Sequence, residues 1–224
     1  MFYNEKDWVI VSGEQLQAYM KELGFEENEE IDFSTMEMSW ISLPFYAQFV
    51  LLRVRDLDND ENPIDDNDPY LLTNGHSFHF LDGSSNTITN INDRISFSLK
   101  EEDVLEYLRF YLFFTDKDEC DGYDGFEEEV SNFLSNEDDE TESPHYLVAD
   151  NPDLPYIIED ASVSVLQKIK ELAPPVITKK ETDDEDQQGY RCTVPTLYNG
   201  KLVECQFFVT EAGDVETFWT AGIC

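Results

Sequence analysis

A chain of 224 residues with 50 Asp and Glu against 14 Lys and Arg carries a formal net charge of -36 at pH 7. A field of that sign repels nucleic acid and anionic membrane and attracts basic surfaces, which excludes direct nucleic-acid binding as the expected role. A 41 % hydrophobic and 13 % aromatic content excludes the aromatic-poor acidic disordered chain, and the longest apolar stretch, Leu43 to Leu52, is broken by Gln48 and too short to cross a bilayer.

Met1 to Trp8 has acid early and no basic-then-apolar leader pattern, so a cytoplasmic protein is expected. The first element begins at Ser12, which with Gln15 makes a capping-box pattern. Leu16, Tyr19, Met20 and Leu23 then follow at helical spacing, and Gly24 closes the segment as an amphipathic helix. Ile31 to Trp40 alternates as a strand. Gln48 to Arg55 does the same, with Phe49, Leu51 and Arg53 on one face and Val50, Leu52 and Val54 on the other. Tyr70 to Thr73 and His76 to Leu81 flank Asn74-Gly75, a dipeptide that supplies the positive φ angles of a two-residue hairpin turn.

Ser98 and Glu101 form a second capping box ahead of a helix that runs to about Phe114. Apolar residues cover most of its circumference and leave a narrow polar strip at Glu106 and Arg109, so this is the expected central buried helix. Further helices are expected over Phe126 to Leu134 and Asp160 to Leu172, the latter stopped by Pro174-Pro175. From Pro175 the chain changes character. Val176 to Thr178, Tyr190 to Tyr198, Lys201 to Thr210 and Val215 to Thr220 read as an antiparallel meander, turned at Asn199-Gly200 and Ala212-Gly213-Asp214.

Helices and strands are segregated along the chain, which gives an α+β class: amphipathic and buried helices packed on antiparallel sheet, with a C-terminal antiparallel β-meander. The expected division is an α+β domain with acidic loops over 1–143 and a helix plus meander over 144–224, the two possibly continuous as one domain.

The acids gather between these elements. Asp56, Asp58, Asp60, Glu61, Asp65, Asp66 and Asp68 form one run without a base. Asp116, Asp118, Glu119, Asp121, Asp124, Glu127, Glu128 and Glu129 form a second, Glu137 to Glu140 with Glu142 a third, and Asp183 to Asp186 a fourth. A compact chain of this length has a diameter of roughly 44 Å, and duplex DNA of that length carries about 26 phosphate charges, so the protein matches the charge of the duplex it would replace. The first two runs are the candidate partner-binding residues.

Calcium is the obvious competitor, because Asp56, Asp58 and Asp60 open as D-x-D-x-D. The remainder of that loop fails: Glu61 stands where a glycine is needed and Asn67 where a bidentate Glu belongs. Near Asp118, aligning Gly122 to the glycine position puts Lys117 on the first ligand position.

His76 and His79 fall on opposite faces if their segment is a strand, which argues against a shared metal. A two-residue turn at Asn199-Gly200 opposes Cys192 with residue 207, so Cys205 is a diagonal neighbour, and thiols, not a disulfide, are expected. No C-x-x-C pair, phosphate loop or nucleophile elbow occurs, no cofactor is implied, and an enzyme is the minority reading. The sequence therefore points to a non-catalytic inhibitor of a basic, nucleic-acid-binding or nuclease-type protein, of anti-defence or immunity type. The alternatives are a calcium-stabilised interaction module or adaptation to high salt.

Overall fold

The computed structural model describes residues 7–22, 36–57, 69–115, 146–147, 175–180, 188–198 and 201–222. Strand alternation and helical periodicity in these segments produce two antiparallel sheets and three helices, an α+β protein. The chain divides between Asp82 and Gly83 into an N-terminal and a C-terminal unit. The boundary expected at 143/144 lies outside the described residues, as do Gly24 and the helices expected over 126–134 and 160–172.

The N-terminal unit contains β1 (Val9–Ile10), α1 (Gly13–Glu22), β2 (Met36–Ser42), β3 (Val50–Asp56), β4 (Tyr70–Thr73) and β5 (Phe78–Phe80). Its strands pair in chain order as one antiparallel sheet. At the start of α1 the Leu16 amide donates to the Ser12 carbonyl at 2.8 Å, as expected for Ser12 in the capping position. The register sets Leu52 opposite both Trp40 and Leu71, and Leu51 opposite Ile41 and Leu72.

Because side chains alternate across a strand, this register sorts the sheet into two faces. Met38, Leu52, Val54 and Leu71 form a buried cluster with Val11, against which Leu16 and Tyr19 of α1 pack. The ring of Tyr19 meets Phe78 edge-on at 5.3 Å. Leu52 and Leu71 are wholly buried, and each such side chain contributes about 1.5–3 kcal/mol.

The β4–β5 hairpin departs from the expected two-residue turn. Thr73 pairs with Phe78, so residues 74–77 form a four-residue loop. Asn74 Oδ1 accepts from the His76 amide at 3.0 Å and the Ser77 amide at 2.9 Å, while the Gly75 amide donates to Thr73 Oγ1 at 3.0 Å. These side-chain bonds outcompete the tight turn, and Gly75 takes the positive φ of 85° within the wider one. His76 therefore lies exposed in the loop instead of on the strand. His79 sits in β5, its ring 6.0 Å from that of Phe49.

The C-terminal unit begins with α2 (Ser85–Ile95), which the sequence reading did not assign. Ser84 caps it by accepting from the Asn86 amide at 3.1 Å, and Ile88, Ile91 and Asn92 form its buried side. The helical spacing was present, but Thr87, Thr89 and three asparagines depress helix propensity and masked it.

A single 3-10 turn over Glu101–Asp103 leads into α3 (Val104–Phe114). The Ser98-Glu101 capping box is not used: Lys100, in extended backbone, is the capping residue and makes no side-chain cap bond. The Asp103 amide instead closes the turn onto the Lys100 carbonyl at 3.0 Å. Val104, Tyr107, Leu108, Phe110, Leu112 and Phe114 are buried, as expected of the central helix, and Glu106 pairs with Arg109 on the remaining strip.

The second sheet comprises β6 (Tyr146–Leu147), β7 (Val176–Lys180), β8 (Gly189–Tyr198), β9 (Lys201–Thr210) and β10 (Val215–Gly222). β7 to β10 form the expected meander, and β6 shares with β7 the edge of β8 that β9 leaves open. Tyr198 pairs with Lys201, which carries the register through to Cys192 opposite Phe207.

Hydrogen bonds fasten α2 to α3, and α3 to the β9–β10 turn. Tyr107 Oη donates to the Gly213 carbonyl at 2.6 Å and accepts from Asn92 Nδ2 at 2.9 Å. The Leu99 amide donates to the Glu211 carbonyl at 2.8 Å. Gly213 has φ 93°, a conformation open to glycine at no steric cost.

Gly189 is a glycine for another reason. A Cβ there would lie 2.5 Å from the Val209 carbonyl oxygen and 2.8 Å from Phe208 Cζ. The ring of Phe208 occupies the space a side chain would need. Gly189→Ala is expected to cost on the order of 2 kcal/mol through overpacking, read as a lower midpoint in denaturant unfolding. An unchanged midpoint would show that the β8–β9 contact is looser than described.

Candidate binding surface

The described elements place three of the acidic runs by their neighbours in sequence. Among the first set of candidates, only Asp56 is described, at the end of β3 with its backbone opposite Met36. Asp58, Asp60, Glu61, Asp65, Asp66 and Asp68 lie outside the described residues, between β3 and β4. The two strands they link are antiparallel neighbours, and the Val54 amide donates to the Pro69 carbonyl at 3.1 Å across the base of that connection.

The second set, Asp116, Asp118, Glu119, Asp121, Asp124, Glu127, Glu128 and Glu129, also lies outside the described residues and follows α3 directly. The helix ends firmly. Thr115 returns both its amide, at 3.0 Å, and its hydroxyl, at 2.8 Å, to the Tyr111 carbonyl, and it bridges to Gly83. The run at 183–186 falls between β7 and β8, which are again antiparallel neighbours.

The acidic runs at 58–68, 116–129, 137–142 and 183–186 lie between described elements in sequence, in a chain whose 50 Asp and Glu stand against 14 Lys and Arg.

Several of the few bases serve the fold itself. Arg53 is 1 % exposed, with its guanidinium 4.3 Å from the centre of the Trp8 ring and Nε donating to Ser39 Oγ at 3.2 Å. Stacking of this kind suits the planar, weakly hydrated guanidinium in a way no lysine matches. Lys179 Nζ lies 2.9 Å from Glu211, and Lys180 reaches over the Phe208 ring at 5.2 Å. Lysines on β7 also discourage edge-to-edge pairing. The stacked Arg53 carried no sequence signal beyond a charged residue at an alternating strand position.

Cys192 and Cys205 are buried thiols. Cys205 stands opposite Val194, two pairs along from Cys192 opposite Phe207, so the two are diagonal neighbours on one face, as the sequence indicates. Burial pushes the Cys192 thiol up from its ordinary value of 9.0 to about 12. A raised folded-state value means that stability is intact below pH 9. It then falls as the unfolded chain ionises and the folded one does not, by about 1.4 kcal/mol per pH unit up to the folded value. Comparing unfolding free energies of wild type and Cys192→Ala between pH 9 and 11 should show the steeper fall in wild type. Equal slopes would mean that the thiol is not sealed.

Among the described residues, no group of three or more His, Cys, Asp or Glu is placed to hold a metal ion, and no helix is long and apolar enough to cross a membrane. The chain matches no protein-family model, no curated protein and no solved structure.

Proposed function

We propose that this chain is an acidic, non-catalytic cytoplasmic protein that occupies the basic site of a nucleic-acid-binding or nuclease-type protein and inhibits it. The observation that carries the reading is the net charge of -36 together with the gathering of acids into runs at 56–68, 116–129, 137–142 and 183–186. Carboxylates stand in for phosphates, opposing Lys and Arg make charge-assisted hydrogen bonds, and the field raises the rate of encounter. Shape supplies the specificity that charge alone lacks. An even acidic coat, as adaptation to high salt requires, fits this clustering of acids in sequence poorly.

The test is a pull-down from native cell extract, washed at low and then moderate salt, with bound proteins identified and challenged with DNA and RNA. Capture of one basic nucleic-acid-binding protein that either nucleic acid displaces supports the proposal. A clean absence at low salt sinks it.

A further inference from the structure

We draw no further inference here: the strongest candidate, the exposed basic strip of Lys180 and Arg191 beside Phe208 on the β7–β8 edge of the C-terminal sheet, carries nothing because nothing in the structure shows what covers it.

Discussion

Reversal of the acidic run between β3 and β4, with Lys at Asp58, Asp60, Glu61, Asp65, Asp66 and Asp68, is expected to slow association with the captured basic partner by on the order of 100-fold. Steered encounters lose their advantage when the steering charge changes sign, whereas the dissociation rate depends on contacts that survive elsewhere. The salt dependence of the association rate should flatten in parallel, since screening then has less attraction to remove. The same substitutions between Asp116 and Glu129 are expected to act in the same direction. A melting curve of each variant reads whether the substitutions disturb folding. Stopped-flow association at two salt concentrations, alongside a melting curve, gives both readings. Unaltered binding after reversal of every run would overturn the decoy mechanism, and loss of binding with loss of folding would be told apart by the melt.

Gly213→Ala is expected to destabilise the C-terminal unit by on the order of 4 kcal/mol. Two costs add: a non-glycine residue at φ 93° carries about 1–3 kcal/mol of backbone strain, and overpacking a filled site costs a similar amount. The filled site is specific, for the new Cβ would sit 2.6 Å from Tyr107 Oη and would crowd Asn92 Nδ2, the two groups that tie α2 and α3 to this turn. A domain has only about 5–15 kcal/mol of stability to lose. Tyr107→Phe isolates the hydrogen-bonding part. It removes the donor to the Gly213 carbonyl and the acceptor for Asn92, leaving buried groups unmatched at about 1–3 kcal/mol each. Denaturant unfolding of both variants reads the two parts, and a Gly213→Ala protein as stable as wild type would show that the turn is not held as described.

How far the sequence revealed this architecture depended on which forces competed locally. Asn199-Gly200 and Asn74-Gly75 are the same dipeptide with different outcomes. The first joins Tyr198 and Lys201 as a pair, and from that one fact the opposition of Cys192 and Phe207 six residues along each strand can be counted off. At the second, Thr73 and Ser77 offer hydroxyls that satisfy the turn in a wider form. The strand therefore starts at Phe78 and His76 leaves it. α3 was legible because its apolar residues cover nearly the whole circumference. α2 was not, because Ile88 and Ile91 provide helical spacing in residues that favour strands, among asparagines that favour turns. β6 is two residues long and exists only through its pairing with Leu197 and Thr196, a tertiary fact with no local signature. The acidic candidates were legible as composition and position alone.

The Val54 amide and the Pro69 carbonyl join the two strands at the base of the β3–β4 connection. Both ends of that connection are anchored to one sheet, so its length and residues can vary without a change in which strands are neighbours. Doubling the length of such a loop costs only about 0.6 kcal/mol in closure entropy. Transplanting residues 58–68 between two neighbouring antiparallel strands of an unrelated neutral protein would carry their charge to a new host at little cost in folding.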